Sequence, residues 1–505
     1  MEALEVSLVE RARAHPDACA IVDADGQHTY ADLLEASARI ASGLLDGARD
    51  LDGARVCFLI APSFRYVATQ WAIVRAGGVA VPLCVSHPEP ELAHVIDDSA
   101  ASIVVADPEF DPKLRPLTAA AGLRHVEPNA LLQAKARPLQ PMAAERDALL
   151  IYTSGTTGKP KGAVTTHAVL DAQMRSIVQA WEMTARDRLL HVLPLHHLHG
   201  ILNALCAPLY AGACVELAPR FEPMRVLERF AAAPTLTLFM AVPTIYAKLV
   251  AEWPRLPSVR EQAVRSGLAR LRLMVSGSAA LPVSLLAQVQ ELSGHFLLER
   301  YGMTEIGMAL GNPLHGERRA GSVGVPFPGV EARIVDERGN AVGEDVAGEL
   351  QIRGPNVFAR YFRKSEATQS AFTEDGFFRT GDVAIRERGY YRLLGRESVD
   401  IIKTGGFKVS ALEIEESLRE HPAIAEVAIV GVADPEWGER VAAAVVLQPA
   451  AALTLDELRS FGKARLANYK VPSLLRVFDA LPRNALGKVQ KPPLKALFAA
   501  DGGNG

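Results

Sequence analysis

The chain has few cysteines, few aromatic residues and no surplus of charge. Cys19, Cys57, Cys84, Cys206 and Cys214 are its only cysteines in 505 residues, and they are scattered. A linear reading finds no C-x-x-C pair or Cys/His ligand spacing among them. That argues against a disulfide framework or a zinc site, and for a reducing compartment. Each cysteine then reads as a small buried hydrophobe. The formal net charge is -4 with no long basic run, which excludes a dedicated nucleic-acid binder. No apolar run approaches the ~18 residues that span a bilayer. Met1-Glu2-Ala3-Leu4-Glu5-Val6 lacks the apolar core of a targeting peptide. The expectation is a soluble, cytoplasmic protein with small-molecule partners, no nucleic acid and no membrane. A Walker A loop is also missing. That motif needs four residues between its glycines and a Ser or Thr after the lysine.

What stands in its place is Tyr152-Thr153-Ser154-Gly155-Thr156-Thr157-Gly158-Lys159-Pro160-Lys161-Gly162. Ala148–Ile151 leads in as an apolar run, and Ala163–Thr166 leads out as a β-type run. Glycines allow a tight turn and close backbone approach. The hydroxyls and lysines add donors and positive charge, so the loop suits a polyphosphate.

The length calls for more than one domain. Residues 30–45 read as an amphipathic helix. Residues 54–60 and 101–105 read as buried strands, with a helix near 63–76 between them. Leu236–Met240, a helix after Pro243, and Leu271–Val275 repeat the rhythm. The alternation predicts α/β units with a largely parallel sheet. From about residue 322 the texture is strands with Gly-rich turns, ending near Arg396. The last hundred or so residues read as an α+β module, opened by a Ser410–Glu413 capping box.

Three further segments carry chemistry. Tyr301-Gly302-Met303-Thr304-Glu305 follows a short strand, Phe296–Glu299, and offers an aromatic face, a hydroxyl and a carboxylate for a base, a phosphate and a magnesium ion. Phe378-Arg379-Thr380-Gly381-Asp382 sets an acid after a strand and turn, placed for ribose hydroxyls. Pro482-Arg483-Asn484-Ala485-Leu486-Gly487-Lys488-Val489 sets a lysine in a loop.

In this order and spacing the segments resemble the motif series of the adenylate-forming superfamily, over residues 28–495. The resemblance implies a large N-terminal domain of two α/β subdomains plus a small β-barrel, and a mobile α+β C-terminal domain. The expected boundaries are residues 1–396, a hinge at 397–400, and residues 401–505. It implies a two-step reaction with ATP, Mg²⁺ and coenzyme A. A carboxylate attacks the α-phosphate to give an acyl-adenylate and pyrophosphate; a thiol then displaces AMP.

Roles follow from the resemblance. Thr153, Ser154, Gly155, Thr156, Thr157 and Gly158, with Lys159 or Lys161, would hold the β- and γ-phosphates. Tyr301 would stack on adenine, Thr304 would contact the α-phosphate, and Glu305 would bind Mg²⁺. Asp382 and Arg396 would hold the ribose. Lys488 would bridge the carboxylate and the α-phosphate, switched off by rotation of its domain. Gly405 and Gly406 would form a narrow wall past which pantetheine threads. In Pro194-Leu195-His196-His197-Leu198-His199-Gly200, His197 would gate the acyl pocket and His199 would line it. With no carboxylate or cysteine nearby in the chain, these histidines read as neutral aromatics and not as metal ligands.

The acid is read from Arg300, the residue before Tyr301. An unpaired buried arginine is costly beside an apolar acyl chain but suits a second carboxylate. Lys248 could add charge; a structural ion pair of Arg300, for instance with Glu299, is the plain alternative. Residues 275–282, 298–310 and 398–412 resemble the malonyl-CoA synthetases. That resemblance implies malonate, with methylmalonate second, and a pocket that includes Arg300, Ser278 and Met308. Competing expectations are a ligase for a short monocarboxylic or aryl acid, a stand-alone adenylation enzyme loading a carrier protein, and a non-catalytic nucleotide-binding relative. The filled catalytic positions count against the last.

Overall fold

The computed structural model describes residues 6–153, 160–484 and 487–501. The first α/β unit is a seven-stranded sheet. In spatial order its strands are Arg360–Tyr361, Lys161–Thr166, Asp147–Thr153, Val79–Pro82, Arg55–Leu59, Ile103–Ala106 and Arg124–Val126. From Asp147–Thr153 to Arg124–Val126 all neighbours are parallel. Val56, Cys57, Phe58 and Leu59 are fully buried, because a parallel strand is covered on both faces and so reads as a continuous apolar run. The helices Tyr30–Leu45 and Phe64–Arg75 pack together, and the second also packs on Val79–Pro82 of this sheet. The first starts at Thr29, whose hydroxyl caps Asp32 N while Asp32 returns the bond to Thr29 N.

The second unit is a nine-stranded sheet. Its parallel centre runs through Leu298–Met303, Leu273–Ser276, Leu238–Ala241, Arg188–His191 and Cys214–Leu217. Cys19–Asp23 extends this centre in parallel beside Cys214–Leu217, and antiparallel strands close the sheet at both ends. Residues 331–396 form a four-stranded antiparallel sheet, Glu331–Val335, Gly348–Arg353, Phe378–Glu387 and Tyr390–Arg396. The strands after residue 400 make a sheet of their own with an apolar cluster on each face, Ile402, Ile414 and Ile429 on one and Val430, Leu494 and Phe498 on the other.

Three local expectations are corrected. Tyr301, Gly302 and Met303 do not follow a strand; they are its last residues, Leu298–Met303. The strand continues because Gly302 lets it run against Gly307, whose carbonyl oxygen would lie 2.1 Å from an added Cβ. Asp382 likewise lies inside the strand Phe378–Glu387. Ser410 does cap Glu413 N, but the Glu413 carboxylate pairs with Lys470 at 2.6 Å, so the capping box is only half made.

Candidate active site

In parallel α/β sheets, ligands bind beyond the carboxyl ends of the strands. Here the residues leaving those ends, Thr153, Val242, Ser278 and Thr304, line one cleft of about 2560 Å³. That exceeds the roughly 300–1,000 Å³ of a single small-ligand site, leaving room for two substrates. Ser154, Gly155, Thr156, Thr157, Gly158 and Lys159 lie outside the described residues. The flanks of their loop are defined. Thr153 Oγ1 donates to the Lys161 carbonyl at 3.3 Å, and Lys161 Nζ sits 5.2 Å from the centre of the Tyr361 ring. Tyr361 in turn donates to Glu305 at 2.8 Å.

On one side of the cleft, Tyr301, Asp382 and Arg396 are joined. The Tyr301 hydroxyl donates to Asp382 Oδ2 at 2.6 Å, and Arg396 Nε donates to Oδ1 at 2.8 Å. Burial opposes the Arg396 charge, but Asp382 more than offsets this and raises its pKa. Thr304 is part-buried at the strand end. Glu305 is buried, and burial raises its pKa even though Tyr361 partly offsets this. A buried carboxylate with no ion pair among the described residues fits a hard divalent cation, which takes one or two protein oxygens and completes its shell with phosphates and water.

The other side is built around Arg300. It is 3% exposed, and among the described residues it makes no ion pair. Glu299 cannot reach it, because neighbouring strand residues point to opposite faces; Glu299 instead accepts from Leu281 N at 3.1 Å. Burial alone lowers the Arg300 pKa to about 9. Its one side-chain hydrogen bond among the described residues is a long one, Nη2 to Ser278 Oγ at 3.4 Å, and Nε has no partner among them. Ser278, held at φ +68°, also contacts His199 Nδ1 at 3.1 Å, leaving His199 Nε2 buried and unpartnered among the described residues. Burial, then Arg300, keeps His199 neutral. Gly277 allows the arginine to lie flat, since an added Cβ would stand 2.5 Å from Arg300 Nε. Met308 is buried and lines the same cleft. Lys248 also lines the cleft, but it is exposed on the helix Pro243–Glu252.

Asn203 was missed by the sequence reading. Both of its side-chain polar atoms are buried without a partner among the described residues, and it lines the cleft from a π-helix, His199–Cys206. Such turns recur at functional sites. The signal was available: a lone amide inside the apolar run Ile201–Cys206.

Lys488 enters the cleft from the C-terminal sheet's side. Protein crowds it and burial lowers its pKa, with Arg396 adding repulsion, yet its surface faces the cleft's solvent, which moderates the effect. His197 lies close enough to feel it; burial first and Lys488 second hold that imidazole at about 3. Glu397–Asp400 is a turn. Asp400 accepts from Arg396 N at 3.0 Å and from Lys491 Nζ at 2.5 Å. Gly405 and Gly406 form a hairpin turn with φ of +55° and +83°. They lie away from the cleft residues, and a Cβ on Gly406 would meet open space.

The AMP-binding enzyme family model matches residues 8–362, and the AMP-binding enzyme C-terminal domain matches residues 413–488. The chain is 46% identical to the mitochondrial malonate–CoA ligase of Mus musculus, over 96% of this chain and 89% of that one. Its structure is similar to ATP-bound MatB from Rhodopseudomonas palustris, with TM-score 0.90 and 34% identity over 98% of this chain and 99% of that one. It is also similar to a malonyl-CoA ligase ternary product complex with methylmalonyl-CoA and AMP bound, with TM-score 0.68 and 39% identity over 93% and 97% of the two chains. With a family match over most of its length and a cleft at the carboxyl ends of two parallel sheets, the chain belongs to the AMP-binding enzyme family.

Proposed function

We propose that the protein is a malonate–CoA ligase that joins malonate, with methylmalonate second, to coenzyme A at the expense of ATP. The observation that carries this reading is Arg300, a buried guanidinium without an ion pair among the described residues, beside the open acceptor-or-donor atoms of Ser278 and His199. A second carboxylate is the ligand that such a site lacks. An acid without one leaves the charge unpaired and is rejected by that penalty.

In the first step the proximal carboxylate attacks the α-phosphorus, and the bond to pyrophosphate breaks. Lys488 offsets the repulsion between two anions brought together, and no proton need move. Asp382 and Arg396 position the ribose, Tyr301 the adenine, and Thr304 the α-phosphate. Thr153, Lys161 and the loop between them take the distal phosphates. Glu305 would hold Mg²⁺, which when bound offsets charge on the departing pyrophosphate. Neutral His197 gates the acyl side without adding a second cation beside Lys488. In the second step the thiol of coenzyme A attacks the acyl carbon, and AMP leaves.

We place the domains at 1–396 and 401–505, with the hinge at Glu397–Asp400. Rotation there would withdraw Lys488 and bring Gly405 and Gly406 to the thiol channel. The higher TM-score to ATP-bound MatB than to the product complex, despite lower identity, supports an adenylation-type arrangement here. The five free cysteines support a reducing compartment, and we propose the cytoplasm; an organellar pool on cell fractionation would overturn that.

The test is pyrophosphate release with ATP, Mg²⁺ and coenzyme A across malonate, methylmalonate, succinate, acetate, butyrate, octanoate and benzoate. Malonate should lead by orders of magnitude. A leading monocarboxylate would overturn the substrate reading.

A further inference from the structure

A second cluster lies outside this chemistry. The loop after the strand Val79–Pro82 reads Cys84-Val85-Ser86-His87, a Cys-x-x-His pair that the linear reading passed over. The fold brings His196 to it from far along the chain. The ligand atoms of Cys84, His87 and His196 all lie within 4.8 Å of one another. One soft thiol and two imidazoles form a donor set suited to zinc-class ions. Two further observations point to a ligand. His196 Nε2 is buried with no hydrogen-bond partner among the described residues. His87 Nδ1 faces Glu91 Oε2 at 3.3 Å, the carboxylate–histidine pairing that orients imidazoles bound to metals.

We propose that Cys84, His87 and His196 form a three-ligand site for a zinc-class transition metal ion, distinct from the magnesium position at Glu305, and that the bound ion restrains the acyl gate. The link to the gate is direct. The His196 and His197 rings stand 4.0 Å apart, and His197 lines the cleft. Fixing His196 therefore removes freedom from its neighbour. On binding, Cys84 coordinates as the thiolate and releases its proton.

The test titrates the metal-free, nucleotide-free full chain with Co²⁺. One equivalent should bind with tetrahedral bands and a thiolate-to-cobalt charge-transfer band. Cys84→Ser should abolish that band, while Cys19→Ser keeps it. Glu91→Gln should weaken binding by roughly 10- to 100-fold, as loss of an orienting carboxylate does. His87→Asn, with its melting temperature checked, carries the test should Cys84→Ser fold poorly; it should weaken binding by roughly tenfold or more. A thiolate band that survives Cys84→Ser, unchanged affinity in a folded His87→Asn, or no Co²⁺ binding by the parent protein would each overturn the site. The gate arm rests on the proposed ligase activity. With Mg²⁺ in excess, Zn²⁺ should inhibit pyrophosphate release by the parent at lower concentration than by Cys84→Ser. Equal sensitivity overturns the link to the gate, and the cobalt spectrum tells that apart from a wrong substrate assignment.

Discussion

Arg300→Met keeps a long side chain and removes the charge. In the ligand-free protein the arginine sits at a cost, since burial lowers its pKa from the ordinary guanidinium range to about 9. A base whose folded value is depressed loses stability in full below that value, and the cost fades only as pH rises past it toward the ordinary guanidinium range. At pH 7.5 the cost is therefore entire, on the order of a few kcal/mol. A dicarboxylate pairs the charge, and truncating one partner of a buried pair costs about 2–5 kcal/mol. At 1.36 kcal/mol per decade, kcat/KM for malonate should fall by about 30- to 5,000-fold. Butyrate, which is rejected because it leaves the charge unpaired, should lose no activity and should gain if it changes at all. The ligand-free melting temperature should rise, and the shift that malonate induces should vanish. These are read by pyrophosphate release and thermal denaturation with and without malonate. A parallel fall on both acids, with a lower melting temperature, would show Arg300 to be structural and would refute the reasoning.

Lys488→Ala should lose adenylation by roughly 10²–10³-fold while thiolysis of supplied malonyl-adenylate survives; equal loss in both half-reactions would remove Lys488 from the first step. Gly277→Ala puts a methyl 2.5 Å from Arg300 Nε and should cut kcat/KM for malonate roughly 10- to 100-fold with KM for ATP unchanged; an ATP effect of equal size would place the strain elsewhere. Burial raises the Glu299 pKa to about 8, so stability is full below the ordinary glutamate pKa and is lost progressively as pH rises from there to 8. Glu299→Gln should accordingly flatten the fall in unfolding free energy between pH 5.5 and 8.5, by a few kcal/mol at most, read by denaturant unfolding across that range; an unchanged slope would count against a neutral Glu299. With His197 at about 3 and His199 also neutral, adenylation should show no imidazole inflection between about pH 6 and 8, and a pH–rate profile checks this.

The α/β architecture was legible because parallel strands announce themselves as apolar runs between helices, as Val56–Leu59 does. The nucleotide residues were legible because each motif is contiguous. What the linear order hid depends on approach in space. Whether Arg300 paired with Glu299 turned on strand alternation, which composition alone leaves open. Nothing in the linear order singles out Gly277, whose lack of a Cβ makes space for the guanidinium. The strand before Tyr301 runs on past Glu299 because Gly302 permits a close strand pair, an approach that the linear order does not display. Cys84 and His87 were passed over because their third partner, His196, arrives from the other α/β unit.

The π-helical wall His199–Cys206 makes the length of this segment, and not only its composition, a variable of specificity. Deleting one residue there would let the backbone ladder return to α-helical spacing and turn the preceding side chains by roughly 100° about the axis, given 3.6 residues per turn. His199 and Asn203, four residues apart and so still on one face, would together turn away from the pocket if the lost residue lay after Asn203, and a new set of side chains would meet the acyl group. A family could thus change its acid by gaining or losing a single codon in this wall, leaving every nucleotide-binding motif untouched.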